Sequence, residues 1–217
     1  MNRKTSKLPA AELCIGRAGE LLRVRFGWWQ DRLEHRLEIC AERSAPPGEL
    51  VLQSCEAGDQ AEWPYSPALQ QLDTCQLSAG RSGLVAVGMA GTSHWSLAVE
   101  CREDQLAFDV ACRVNQPPRR LMSSYMAPKA VNTLLRGNTM ALAVGLATAT
   151  APAQAAPDRC ERVIELTADN ATSTLAWYDA ERRVEVSPLR LPDQFPATVR
   201  WGYRLMWMSD RLILPKG

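Results

Sequence analysis

The sequence predicts an all-β protein, an antiparallel sandwich of about ten strands in which the apolar faces of two sheets meet. Three stretches carry that expectation. Residues 94–114 read as two strands around the polar turn Arg102-Glu103-Asp104. Trp95, Leu97, Val99 and Cys101 share one face of the first strand, and Leu106, Phe108, Val110, Cys112 and Val114 share one face of the second. Residues 22–39 repeat the pattern, with Leu22, Val24, Phe26 and Trp28 before Gln30-Asp31, and Leu33, His35, Leu37 and Ile39 after it. Residues 199–207 place Val199, Trp201, Tyr203, Leu205 and Trp207 on one face, and Arg200, Gly202, Arg204 and Met206 on the other. A flattened barrel is the alternative closure of the same strands.

In chain order, residues 1–11 carry Arg3, Lys4 and Lys7 with no apolar run behind them. They read as a disordered lead-in and not as a secretory signal. Residues 12–217 read as one β domain, or as two halves meeting near 116–138, where Gln116-Pro117-Pro118-Arg119-Arg120 interrupts the pattern. The second face of the 22–39 hairpin holds Arg23, Arg25, Arg32, Glu34, Arg36 and Glu38. It is expected to be solvated, with Arg and Glu paired across strands for a fraction of a kcal/mol each, roughly. His35 sits on the apolar side and reads as a satisfied core residue.

Ser44-Ala45-Pro46-Pro47-Gly48 breaks the chain before the short strand Leu50-Val51-Leu52. Residues 56–83 show little periodicity and contain the rigid aromatic loop Trp63-Pro64-Tyr65-Ser66-Pro67. An apolar strand at 84–89 makes residues 84–114 a three-stranded meander. Residues 130–136, with Pro128 before and Gly137 after, fit a short helix. Residues 139–156 carry a signal-like run, Met140-Ala141-Leu142-Ala143-Val144-Gly145-Leu146-Ala147. Met140, Leu142, Val144, Leu146, Thr148 and Thr150 also alternate with Ala or Gly, and that period favours a strand. Residues 163–166 are a further strand. A hairpin follows around Ala180-Glu181, from Leu175-Ala176-Trp177-Tyr178 to Arg183-Val184-Glu185-Val186, and Leu212-Ile213-Leu214 closes the chain.

The formal net charge of +1 over 217 residues gives no electrostatic case for nucleic acid or an anionic membrane as partner. The seven cysteines (Cys14, Cys40, Cys55, Cys75, Cys101, Cys112 and Cys160) are dispersed, odd in number and without a Cys-x-x-Cys pair. They read as free thiols in a reducing, cytoplasmic setting, with no metal site. A Cys101–Cys112 disulfide is the lesser reading. No Gly-rich phosphate loop is present, and no cofactor is expected.

Function enters through the tryptophans, 7 against 3 phenylalanines. Such rings fill β cores, and exposed ones make stacking platforms. The expectation is a non-catalytic binding or interaction module for carbohydrate or protein. Its ligand-binding candidates are Trp28 and Trp29 at a hairpin tip and Trp63 and Tyr65 in the aromatic loop. The alternative is a hydrolase. His94 and Ser96 share a strand face, and Asp109 on the partner strand would complete a grouping of nucleophile, base and acid. An assembly component that self-associates through an open sheet edge, as a homo-oligomer, is a third reading.

Ser93-His94-Trp95-Ser96, Phe108-Asp109-Val110-Ala111-Cys112-Arg113 and Thr198-Val199-Arg200-Trp201-Gly202-Tyr203-Arg204 together resemble uncharacterised β-rich proteins of planctomycete-type bacteria. The resemblance implies strands and carries no activity or site residue.

Overall fold

Alternating residues of this kind form strands because successive side chains leave the backbone on opposite sides, and one side can then be buried whole. The computed structural model describes residues 10–17, 19–43, 48–56, 62–76, 81–144 and 162–208. In chain order its strands are β1 (Ala11–Arg17), β2 (Glu20–Trp29), β3 (Arg32–Cys40), β4 (Glu49–Ser54), β5 (Gln71–Gln76), β6 (Ser82–Ala90), β7 (Ser93–Arg102), β8 (Gln105–Val114), β9 (Ser123–Met126), β10 (Val131–Arg136), β11 (Thr139–Val144), β12 (Arg162–Ala168), β13 (Ser173–Tyr178), β14 (Arg183–Pro188) and β15 (Ala197–Trp207). They form two antiparallel sheets that do not close into a barrel. A seven-stranded sheet runs β1-β2-β3-β4-β9-β14-β13, and an eight-stranded sheet runs β10-β11-β12-β15-β8-β7-β6-β5.

The three stretches that announce the fold lie at its centre. Trp95, Leu97 and Val99 on β7, Phe108 and Val110 on β8, and Val199 and Trp201 on β15 are buried against Leu22, Val24, Phe26 and Leu37 of the other sheet. Trp95 meets Trp201 edge to face at 6.0 Å, and Phe108 stacks on Tyr203 at 4.7 Å. Residues 62–70 lace the two sheets together: the Leu33 N–H donates to the Leu69 carbonyl, the Ser124 N–H to Tyr65, and the Gln70 N–H to Val87.

Several expectations are corrected. The described residues alone form fifteen strands, not about ten. Residues 131–136 are strand, not helix. Val131 and Thr133 are β-branched, and Gly137-Asn138 turns the chain so that Arg136 pairs with Thr139. Among the described residues the helical content is a 3-10 turn at Asp179–Glu181. The charged face of the β2–β3 hairpin is not solvated at Arg23 and Glu38. They pair across strands at 2.7 Å, and the following turn covers them, with Arg23 donating to the Arg43 carbonyl and the Gly48 N–H donating to Glu38. Both sheets take strands from either side of 116–138. β1, β5 and β9 have no counterpart in the sequence reading. The expected lead-in up to residue 9, most of the Ser44–Gly48 break, the run beyond Val144, Cys160 and the closing Leu212-Ile213-Leu214 lie outside the described residues.

Candidate functional site: the outer face of the eight-stranded sheet

β6 is apolar on both faces. Leu84, Ala86 and Ala90 point into the core, while Val85, Val87 and Met89 point out and are 41%, 40% and 45% exposed. The register sets this strip beside three further strands. One rung reads Val85, Ala98, Asp109, Gly202; the next Val87, Ser96, Ala111, Arg200; the next Met89, His94, Arg113, Thr198. A fourth, nearer the other end, reads Gly83, Glu100, Ala107, Arg204, Thr167.

The middle of the face is therefore floored by Ser96, Ala98, Ala107, Ala111 and Gly202. Small side chains between larger ones leave a trough. It comprises a depression of about 780 Å³ around Asp109, Gly202 and Arg204, and another of about 560 Å³ around His94, Ala111 and Arg113. The two meet at Arg200. Val85, Val87 and Met89 make a contiguous exposed apolar strip beside this hollow floor.

The sequence-derived candidates fare unevenly. Trp28 is 48% exposed at its hairpin tip, and Trp29 beside it is half-buried. Trp63 is only 8% exposed, because the loop that carries it is packed into the core. The Tyr65 ring is occupied from within: the guanidinium carbons of Arg120 and Arg183 lie 4.0 and 5.1 Å from its centroid. Trp63 and Tyr65 therefore do not form the open platform expected of them.

His94, Ser96 and Asp109 all reach the outer face, but they are not brought together. Asp109 pairs with Ala98, four residues from His94, a separation of roughly 13 Å at the strand rise. His94 and Ser96 border one depression and Asp109 the other. No hydrogen-bonded triad forms from these positions, because β7 and β8 are paired in a register that offsets them.

The sandwich also holds a buried polar chain. His35 Nε2 is 2.6 Å from Tyr125 Oη, which meets the hydroxyl of Tyr203 on the opposite sheet, and Trp201 donates to Ser123 Oγ at 3.1 Å. Burial pulls the His35 imidazole down to about 3, so it is neutral, and pushes the Tyr203 phenol up to about 12. Nearby, Ser54 donates to Glu56 at 2.6 Å and accepts the His35 N–H, and burial lifts the Glu56 carboxyl to about 7. His35, Tyr125 and Tyr203 are sealed from solvent. They join the sheets and have no route to a substrate.

Thiol chemistry is disfavoured by the same physics. Burial raises Cys14 to about 11 and Cys55 and Cys112 to about 12, and raises Cys40 and Cys101 as well, whereas a nucleophilic cysteine needs its thiolate. The six cysteines of the described residues are free. Among the described residues no three His, Cys, Asp or Glu side chains are grouped to hold a metal ion, and no helix is long and apolar enough to cross a membrane.

The sequence reading missed the trough, although its signal was present. Residues 84–89 lack a polar face, and the non-core positions of β7, β8 and β15 hold three alanines and a glycine between the charges. The fold and site define an antiparallel sandwich with one open, trough-like sheet face. No family model and no curated protein matches the chain.

Proposed function

We propose that this protein is a non-catalytic binding module whose ligand rests on the outer face of the eight-stranded sheet. The observation that carries the reading is the strip Val85, Val87, Met89 left exposed beside a floor of small side chains. Covering it would remove apolar area from water at about 25 cal/mol per Å². The separation of His94 from Asp109 and the raised thiols favour binding over hydrolysis.

A thermal-shift screen against peptides, sugars, nucleotides and divalent metals tests this reading, run in parallel on the wild type and on Ala111→Trp. That substitution fills the trough from an outward position. A ligand that binds the native state raises the melting temperature. The expected result is a rise for one class in the wild type and its loss in Ala111→Trp. A flat screen, or equal rises in both proteins, overturns the reading.

A further inference from the structure

The trough is chemically lopsided. The depression that holds Met89 and Val87 is bordered by Arg113, Arg200 and His94, with Ser96, Thr198, Gln70 and Gln71, and among the described residues no carboxylate lines it. Arg113 pairs with Thr198 in register and Arg200 with Ala111, so the two arginines are diagonal neighbours, about 7–8 Å apart on the same face. Among the described residues neither is in an ion pair. Several arginines elsewhere have carboxylate partners, among them Arg23 with Glu38, Arg81 and Arg102 with Glu100, and Arg183 with Glu185. Asp109 is the nearest carboxylate in register. It lies on the far side of Arg200, in the other depression, and forms no ion pair with it.

Two like charges held side by side repel unless an anion stands between them. Guanidinium presents planar, paired donors that match a carboxylate, and the neighbouring Ser96 and Thr198 hydroxyls can donate to the same group. The rest of the border chooses among anions. Its apolar part is aliphatic: Val87 and Met89. The aromatic rings of these strands (Trp95, Phe108, Trp201 and Tyr203) are turned into the core. Nucleobases need exposed rings to stack on, and rings also make the apolar platforms of many ligand sites. Aliphatic side chains beside a carboxylate are what a polypeptide offers.

We propose that this corner of the trough docks an acidic polypeptide segment, with an Asp or Glu carboxylate on Arg113 and Arg200 and aliphatic side chains against Val87 and Met89. The inference rests on the binding-module reading and specifies its ligand.

The test is fluorescence anisotropy of three labelled probes titrated with the full chain: an alternating Val–Glu peptide, its Val–Gln counterpart, and polygalacturonate. The Val–Glu peptide should bind more tightly than both others, and its affinity should fall with added salt. Arg113→Ala and Arg200→Ala should each weaken it by about tenfold or more. Arg200→Lys should recover only part of the loss, since lysine keeps the charge and lacks the fork. These side chains are exposed, and circular dichroism should show all variants folded.

Equal binding of Val–Gln, preferred binding of polygalacturonate, indifference to the arginine substitutions, or no binding of Val–Glu would each overturn the acidic-peptide assignment. If Ala111→Trp abolishes whichever probe does bind, the trough remains the binding face and only the ligand class is wrong. If Ala111→Trp leaves that binding intact, the binding-face reading fails too.

Discussion

Phe108 shows how one residue carries the fold. It is buried on β8, stacked on Tyr203 and 6.4 Å from the His35 ring, so its removal leaves a cavity between the sheets. Phe108→Ala should cost about 3–5 kcal/mol in urea unfolding, and a change near zero would contradict its placement. Tyr125 bonds both His35 and Tyr203. Tyr125→Phe keeps the ring and leaves the buried His35 Nε2 without its partner, which should cost about 1–3 kcal/mol by the same measurement.

The pH behaviour of the core also belongs to single residues. Glu56 is held near 7 against an ordinary 4.5, first by burial, with the neighbouring Glu34 and Asp31 charges adding to it. The folded state therefore keeps this proton where the unfolded chain loses it, and stability falls as pH rises from about 4.5 to about 7. His35 acts in the opposite sense. It is lowered from 6.5 to about 3, so stability falls as pH drops through that window. Glu56→Gln should match the wild type below pH 4.5, exceed it in stability above pH 7, and leave only the His35 slope between. A difference independent of pH would contradict this.

At the scale of elements, the clearest constraint is the crossing of residues 68–70 over β6. A Cβ on Gly88 would stand 2.1 Å from the Ala68 carbonyl oxygen and 2.9 Å from the Gln70 nitrogen, while one on Gly27 in β2 would meet nothing within 4 Å. Gly88→Ala should therefore cost about 1–3 kcal/mol and Gly27→Ala little or nothing, read from thermal unfolding of the two variants. Equal effects would mean that the crossing is misplaced.

Legibility in the sequence followed the same divide. β2, β3, β7, β8 and β15 were readable because each has one apolar and one polar face, and because Gln30-Asp31 and Glu103-Asp104 mark the turns. β5 was hidden because it is an edge strand that buries little: none of its residues is fully buried. β9 was hidden because Ser123 and Ser124 look like loop, yet they are buried and hydrogen-bonded between β4 and β14. The short helix at 130–136 failed because Pro and Gly punctuate hairpins as readily as helices. In the candidate site, the outward positions of β7, β8 and β15 could be listed from the alternation, but the trough depends on β6 lying beside β7 and β15 beside β8. The long-range β8–β15 pairing is not a local property.

At the scale of the whole molecule, the seven-stranded sheet covers one face of the eight-stranded sheet and leaves the other open. The aromatic side chains of β7, β8 and β15 are spent on the shared core, and what remains on the open face is aliphatic, small and charged. That division explains why the Trp63–Tyr65 loop packs into the sandwich while the proposed binding face carries no tryptophan side chain. The most direct measurement is amide chemical-shift mapping of the full chain with the ligand class that most raises its melting temperature. The account predicts that the perturbed amides cluster on β6, β7, β8 and β15 along the rungs from Val85 to Met89. Perturbations gathered instead at the Trp28–Trp29 hairpin tip, or in the groove between Cys14, Cys75 and Cys101, would contradict it.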